Sequence, residues 1–576
     1  MTTSHIRPSA AGTVGWPPEM VRRYVAAGYW DGQTLTAPVV AAAAATPEAV
    51  ALVDGAVRFS YHELAARVDG AALRLRGLGL RPDDRVLVQL PNGWEFIVLT
   101  LACLRLGVIP VLALTPHRHH EMSYLAEHAE ARAIAVPARF RGFDHRGLAH
   151  DIARAVPTVQ RVLVSAGEPD IGAVGATADR AAAAVDVDLR ALCRPADDVP
   201  AARTLLDAAA PDSRAVALMV LSGGTTGLPK LIARTHDDYG CHARRTAEIS
   251  QFGRDTVYLA VLPMAHSMSL GMLLATLRSG GRVIVASSPA PVTALGLVER
   301  ERVTATAVVP AIAQSWLNHQ EADPRHDLRS VRLLLVGGAR LPDQVAERMV
   351  PTLTRNLQQG YGMAEGLVCL TRIGDPDDVT TRSQGRPICA DDEIILVDED
   401  GRRVPPGEPG VLLTRGPCTP RGYYRAAEHN ACAFVGDGWL WTGDIVRIRD
   451  DGNVVVEGRD KDMINRGGEK VSAEEVENLA YQVDGVGFAA AVAMPDPDLG
   501  ELVCLYVVPR DGARVTLADV RSVMESAGVA RFKWPERLEL VGALPRTNIG
   551  KIDKKALRSE VAARLAAEVD RSTPAP

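Results

Sequence analysis

Short, unbroken apolar runs recur through the first two thirds of the chain. Arg85–Leu90, Val108–Leu114, Ala217–Leu221, Ala305–Val309 and Val331–Val336 read as strands buried on both faces. Between them lie segments with helical spacing of apolar positions, such as Glu95–Leu106 and Val292–Arg302. This alternation predicts an α/β fold whose large N-terminal domain is parallel-rich. From about Asp392 the pattern changes. Glu393–Val397, Gly410–Arg415 and Trp439–Val456 read as strands joined by Asp-Gly and Pro-Gly turns, a β-rich subdomain over about 392–460. It changes again near Lys461. Ala473–Tyr481 and Leu517–Ala527 read as helices, and Phe488–Ala493 and Leu502–Val508 as a strand pair. The expected division is a large domain over 1–460 and a small α+β domain over 461–576. No internal repeat is visible. The stretch from about 165 to 213, rich in Ala, Asp and Pro, reads as a variable surface excursion without chemistry, and the terminal RSTPAP as a frayed end.

Composition narrows the function classes. A chain of 576 residues exceeds one ordinary compact domain. Hydrophobic residues at 47% and charged ones at 23% mark a globular protein rather than a disordered one. The net charge of −6 gives no reason to expect nucleic acid or an anionic membrane as partner. The eight cysteines (103, 193, 241, 369, 389, 418, 432 and 504) are scattered, and none forms a C-x-x-C pair. Neither a zinc site nor a disulfide framework is expected, and a reducing compartment fits. The opening MTTSHIRPSAAG has no apolar core of a signal peptide, and the alanine run at 41–45 is far too short to span a bilayer. The expectation is a soluble, cytoplasmic protein.

The first chemical signal is LSGGTTGLPK, Leu221–Lys230, directly after the strand-like AVALMV. Ser222, Gly223, Gly224, Thr225, Thr226 and Gly227 combine small side chains, hydroxyls and closely spaced N–H groups, which suits a loop that closes around polyphosphate. It is not the P-loop of nucleotide triphosphatases, because Pro229 precedes Lys230 and no Gly-Lys-Ser/Thr opens a helix. An ordinary Gly/Thr turn is the bland alternative for such a loop by itself.

LSGGTTGLPK resembles the phosphate loop of the adenylate-forming superfamily, which includes acyl-CoA synthetases, nonribosomal adenylation domains and luciferases. VGGA (Val336–Ala339), QGYGMAEG (Gln359–Gly366), WTGD (Trp441–Asp444), EGRDKDMINRGGEKVSAEEVE (Glu457–Glu477) and PRTNIGKIDK (Pro545–Lys554) follow in the order of that superfamily. WPPEMVRRYVAAGYW near the N-terminus, RTHDDY (Arg234–Tyr239), LPMAH (Leu262–His266) and GMAEGLV are most similar to stand-alone 2,3-dihydroxybenzoate– and salicylate–AMP ligases. The resemblance covers nearly the whole chain. It implies a large N-terminal domain of two parallel-rich α/β subdomains plus the β-rich one, followed by a small mobile domain carrying a catalytic lysine.

The reaction so implied is attack of a carboxylate oxygen on the α-phosphorus of ATP with loss of pyrophosphate, then transfer of the acyl group to the phosphopantetheine thiol of an aryl carrier protein in natural-product or siderophore biosynthesis. Both first-step reactants are anions, so positioning and charge neutralisation are the protein's task. By resemblance, Lys551 is the catalytic lysine, bridging carboxylate and α-phosphate. Glu365 holds Mg²⁺ against the phosphates. Tyr361 stacks on adenine within a Tyr361-Gly362-Met363-Ala364 string, and Gly338 and Ala339 let backbone approach the base edge. Asp444 and Arg459 reach the ribose, and Thr225, Thr226 and Lys230 serve the phosphates. Lys461 stands at the hinge between the domains. Lys470 lies on the face used for thioester formation. For each of these lysines the bland alternative is a solvated surface side chain.

The acid pocket departs from the resembled pattern. His266 matches the gating position, and Tyr239, Gly337 and Val368 match pocket positions. The dihydroxybenzoate and salicylate ligases follow the histidine with an asparagine that reads an ortho-hydroxyl. Here Ser267 and Met268 follow, and the loop SMSLGMLL reads as about two residues shorter. Serine reaches less far than asparagine but still donates and accepts. A planar aryl or heteroaryl acid with room at the ortho position is implied, bearing amino, hydroxyl or ring nitrogen there. An aryl-CoA ligase using free coenzyme A is the rival enzyme. A non-catalytic nucleotide-binding descendant is a third reading, opposed by the presence of Lys551, Glu365, Asp444 and Arg459. His117, His119 and His120, and Asp375, Asp377 and Asp378, lack the partners of zinc and calcium sites.

Overall fold

The computed structural model describes residues 11–165, 184–222, 228–338, 340–341, 343–398, 401–459, 463–510, 512–545 and 553–572. Residue contacts divide them into two compact units, a larger one ending at Glu457 and a smaller one drawn from 458 onward together with 116–122.

Two α/β sheets make up most of the larger unit. The seven-stranded sheet runs Leu231–Thr235, Val216–Leu221, Ile109–Leu112, Arg85–Val88, Ala133–Pro137, Arg161–Ser165, Val185–Asp188. All its pairings are parallel except the first, where 231–235 lies antiparallel to 216–221. The nine-stranded sheet runs Arg386–Pro387, Val368–Leu370, Leu357–Gly362, Leu333–Gly337, Ala305–Val308, Val257–Ala260, Arg282–Val285, Val50–Asp54, Val57–Ser60. Its centre is parallel and its margins are antiparallel. The parallel strands are the continuous apolar runs of the sequence, buried on both faces because helices cover them.

One hydrophobic core joins the two sheets. It takes Val86, Val88 and Leu112 from the first, Leu52, Tyr258 and Leu335 from the second, and the helices Tyr61–Gly77, Trp94–Leu106 and Ser267–Arg278. Helix 94–106 is mostly apolar, and every residue in it is buried. Its lone cation, Arg105, is neutralised by Asp69 at 3.0 Å and by Asp207. A second core fills the other face of the nine-stranded sheet under helices Pro291–Glu301 and Pro310–Ala322.

The 165–213 stretch is more than a surface excursion. Residues 166–183 and the terminal 573–576 lie outside the described residues, but Val185–Asp188 completes the seven-stranded sheet. Helix Val199–Ala208 brings Arg203 to 2.6 Å from the buried Asp69. Its polar composition hid this, because the strand is an edge strand with half-exposed positions and its stabilising contact is ionic.

The β-rich part is a five-stranded sheet of Glu393–Val397, Gly410–Arg415, Trp439–Ile448 and Phe434–Val435, with Val454–Arg459 beside 439–448. The smaller unit has its own sheet, in which Val486–Asp496 pairs antiparallel with Gly500–Pro509. Residues alternate between two cores. Ala489, Ala491, Val503 and Leu505 face helices Ala473–Ala480 and Leu517–Ser526, whereas Ala490, Val492, Cys504 and Tyr506 face helix Lys554–Ser572. Among the described residues no helix is long and apolar enough to cross a membrane.

Candidate active site

Strands 216–221 and 231–235 are neighbours, and the Ser222 N–H donates to the Lys230 carbonyl at 2.9 Å. The two ends of the Gly/Thr string are thereby held side by side, each largely buried. Gly223, Gly224, Thr225, Thr226 and Gly227 themselves lie outside the described residues, as do Ala339, Lys461 and Lys551. Lys230 Nζ lies 5.9 Å from the centre of the Tyr423 ring. The Tyr423 hydroxyl in turn donates to Glu365 Oε1 at 2.8 Å. Burial and the adjacent Glu365 charge push the Tyr423 phenol well above its usual range, so it stays a donor.

Glu365 sits in a tight turn between the antiparallel strands 357–362 and 368–370, where Gly362 is paired with Val368. The Met363 N–H donates to Leu367 O at 3.2 Å and the Gly366 N–H to Met363 O at 3.0 Å. Gly366 has φ +120°, and a side chain there would collide with the Cys418 carbonyl. At the end of the preceding strand the Tyr361 hydroxyl donates to Asp444 Oδ2 at 2.8 Å. Asp444 is fixed through its N–H, which donates to Thr442 Oγ1 at 3.0 Å. Gly338, just past strand 333–337, has φ +87°. Arg459 ends strand 454–459. Lys470, in the smaller unit, pairs with Asn465 in a strand hairpin.

The acid-pocket candidates gather at one helix start. Tyr239 is fully buried on helix His236–Ile249, and its hydroxyl donates to the Ser267 carbonyl at 3.0 Å while lying 3.4 Å from Ser267 Oγ. Burial raises the Tyr239 pKa to about 12. Met268 Sδ closes over Gly337, where an added Cβ would come within 3.1 Å of it. His266, Ser267 and Met268 are half-buried, and Val368 is half-buried on the neighbouring hairpin.

SMSLGMLL is helix, not loop. Helix Ser267–Arg278 begins immediately after His266, and the Leu270 N–H already donates to the His266 carbonyl at 2.9 Å. Ser269 points inward, its hydroxyl donating to Leu262 O at 3.1 Å. Small and polar residues at a helix start read as loop from sequence, because serine favours turns as readily as helix starts.

Matches to family models bear on this arrangement. The model described as AMP-binding enzyme covers residues 39–424, and that of the AMP-binding enzyme C-terminal domain covers 475–551. The chain belongs to the AMP-binding enzyme family. It is similar to 2-hydroxy-7-methoxy-5-methyl-1-naphthoate–CoA ligase of Streptomyces carzinostaticus, at 56% identity over 96% of this chain and 97% of the relative. A salicylyl-CoA synthase / salicylate adenylyltransferase of a Streptomyces species is 54% identical, over 96% and 98%. A salicyl-AMP ligase / salicyl-S-ArCP synthetase of Mycobacterium tuberculosis is 42% identical, over 96% and 95%. Among solved structures, that of apo MbtA from Mycobacterium smegmatis matches with TM-score 0.70 and 40% identity, over 96% of this chain and 100% of that one.

Enzymes of the AMP-binding family use ATP, and this member is a ligase. Three residues that brace the candidate site escape sequence reasoning. Tyr423 holds Glu365 from fifty-eight positions away. Asn92 braces the LPMAH segment, its side-chain N–H donating to Leu262 O at 2.8 Å and its Oδ1 accepting from the Met264 N–H at 2.8 Å. Arg234, fully buried, pairs with Asp238 at 2.6 Å and donates to Ala364 O at 2.9 Å and Cys418 O at 2.8 Å. Its guanidinium also lies 4.7 Å from the Tyr239 ring centre. Burial disfavours the Arg234 charge, but Asp238 outweighs it and raises the guanidinium pKa. RTHDDY is thus a capping box, in which Thr235 and Asp238 close the helix start, with an arginine that ties that helix to the Glu365 turn.

Among the described residues, the one grouping with metal-ligand spacing is neither the His117 run nor the Asp375 group but Cys241, Cys389 and Cys418. The spacing of cysteines along the chain did not reveal it, since the three come from separate segments.

Proposed function

We propose that this enzyme activates an aryl or heteroaryl carboxylic acid as its acyl-AMP in the cytoplasm and passes the acyl group to the phosphopantetheine thiol of an aryl carrier protein. The observation that carries the reading is the pairing of two arrangements in one unit: the Tyr361–Asp444 hydrogen bond on the nucleotide side and the Tyr239–Ser267–Met268–Gly337 group on the acid side. The names of the similar ligases supply the substrate class.

In the first step a carboxylate oxygen forms a bond to the α-phosphorus, and the bond to the pyrophosphate oxygen breaks. The loop from Ser222 to Lys230, with Thr225, Thr226 and the glycines, receives the β- and γ-phosphates. Tyr361 offers its face to adenine, with Gly338, Ala339, Gly362, Met363 and Ala364 forming the surrounding backbone. Asp444 and Arg459 take the ribose. Lys551 places positive charge between the carboxylate and the α-phosphate. Glu365 suits Mg²⁺, which keeps few protein ligands and takes phosphate oxygens for the rest; when bound, the ion neutralises charge on the polyphosphate. Tyr423 orients that carboxylate. His266 gates the acid, which Tyr239, Ser267, Met268, Gly337 and Val368 surround. In the second step Lys461 is the pivot that withdraws Lys551, and Lys470 lies toward the thiol acceptor. The large catalytic domain ends near 460 and the small one follows.

Free coenzyme A as acceptor is the second reading, favoured by the names of the 56% and 54% identical relatives. Acid-dependent ATP–pyrophosphate exchange over ortho-substituted benzoic, 1-naphthoic, picolinic and quinaldic acids tests the first step. No exchange with any of them sinks the aryl-acid reading. Thioester formation with carrier protein and with coenzyme A, assayed in parallel, decides the acceptor.

A further inference from the structure

Three cysteines far apart in sequence meet in the interior of the larger unit. Cys241 lies in helix 236–249, Cys389 just after strand 386–387, and Cys418 just after strand 410–415. Cys389 Sγ is 3.7 Å from Cys241 Sγ and 3.9 Å from Cys418 Sγ, and all three sulfurs lie within 4.8 Å of one another. Each residue is at most 1% exposed. Sulfurs that share an ion at about 2.3 Å stand about 3.8 Å apart in tetrahedral and about 4.0 Å apart in trigonal geometry. The two closest separations here match that spacing. They are far longer than a disulfide bond of about 2.05 Å.

The surroundings also fit a cation. Asp392 is buried beside the cluster. Its Oδ2 accepts the Cys389 N–H at 3.1 Å, while its Oδ1 has no hydrogen-bond partner among the described residues. A buried carboxylate oxygen without a donor is costly unless positive charge or water reaches it. Two cations stand on the same helix as Cys241. These are Arg244 and Arg245. Arg245 donates to Ile388 O at 3.0 Å, next to Cys389.

We propose that Cys241, Cys389 and Cys418 form a buried three-sulfur site for a soft, monovalent ion of the Cu(I) class, separate from the nucleotide and acid site. Three thiolates with no fourth ligand in the group among the described residues suit such an ion better than zinc, which takes four. Binding exchanges the ion for S–H protons, which pass to solvent, and no electrons are transferred. The ion would pin helix 236–249 to the loops at 389 and 418. Cys418 also presents its backbone carbonyl to Arg234, so the pinned loop adjoins the Glu365 turn.

The test uses the full chain, reduced and oxygen-free, titrated with Cu(I) held by a chromogenic chelator. A Cys432→Ser background removes the exposed thiol. About one ion per chain should leave the chelator, with a rise in the thermal midpoint. Even hydrogen-bond partners of metal ligands are worth about 10- to 100-fold in affinity, so Cys389→Ser and Cys418→Ser should each weaken uptake at least that much. Near-UV circular dichroism confirms that each variant is folded, and Cys241→Ala replaces any that is not. Uptake that persists in the folded variants overturns the site, as does uptake that vanishes with Cys432→Ser. No uptake by the parent chain makes the cluster a packed group of thiols and overturns the proposal equally.

Discussion

The Tyr423 hydroxyl and the Glu365 carboxylate share a 2.8 Å hydrogen bond between a loop of the β-rich region and a turn of the nine-stranded sheet. Glu365 is exposed enough at that turn to meet a ligand, yet its direction is set by a phenol that burial keeps protonated. Hydrogen bonds to charged groups contribute about 1.5–3 kcal/mol. Tyr423→Phe keeps the ring and removes the bond. Pyrophosphate exchange should fall about 10- to 100-fold, with a higher Mg²⁺ requirement and little change in melting temperature. An unaltered Mg²⁺ dependence would remove Tyr423 from the orientation of Glu365.

Arg234→Met leaves Asp238 buried without its cation and takes donors from the Ala364 and Cys418 carbonyls. Breaking a buried pair in this way costs about 3–5 kcal/mol. The midpoint of urea unfolding followed by fluorescence should drop accordingly. Arg234→Lys should recover only part, because an ammonium cannot span three acceptors with fixed geometry. A lysine variant as stable as the parent would show that charge, not the fork, is what matters.

Acid should weaken the larger unit in a defined window. Burial lowers the pKa of His236 to about 4, and burial with help from Arg234 lowers that of His242 to about 3. In an unfolded chain histidine takes its proton near pH 6.5, so below that the unfolded state binds more protons than the folded one. Stability from these groups is complete above pH ~6.5 and declines toward pH ~4, by up to about 1.4 kcal/mol per pH unit for each histidine. His236 accepts the Leu35 N–H at its Nδ1, a role glutamine can take. His236→Gln should therefore show a shallower fall in melting temperature between pH ~7 and pH ~5. Parallel curves for the two proteins would acquit His236.

Ser267→Asn addresses the acid. Ser267 lies at the helix start where Tyr239 grips its carbonyl, so the side chain changes without moving the backbone. The longer amide should favour acids with an ortho-hydroxyl and penalise larger ones. A site built to bond a substituent discriminates strongly against acids lacking it. The readout is kcat/KM across the acid panel at saturating ATP. Relative preferences identical to the parent's would move specificity to Met268 and Val368.

Lys551→Ala should reduce adenylation about 10²- to 10³-fold, the usual effect of losing one preorganised electrostatic contact. Transfer from supplied acyl-adenylate to the thiol should change far less. Equal losses in both half-reactions would argue against a lysine used in one step alone.

Sequence alone determined the fold class, because parallel strands buried on both faces must be continuous apolar runs and their covering helices must carry 3.6-residue spacing. It also picked out LSGGTTGLPK, QGYGMAEG and WTGD as candidate site strings, since each is contiguous in the chain. Edge elements were less legible. Val185–Asp188 alternates polar residues with valines, and helix 267–278 opens on Ser-Met-Ser, so neither matches the pattern of a buried element. Tertiary structure alone decided what depends on contacts between distant segments. Tyr423 reaches Glu365, Asn92 braces Met264, and Arg234 joins Asp238 to Ala364 and Cys418, none of which a linear pattern encodes. The three-cysteine cluster is the clearest case. Sulfurs with no shared spacing in the chain come to 3.7 and 3.9 Å because a helix and two strand ends converge on one point of the core. Local periodicity records which face of an element is buried, and only the packing of elements records what that face meets.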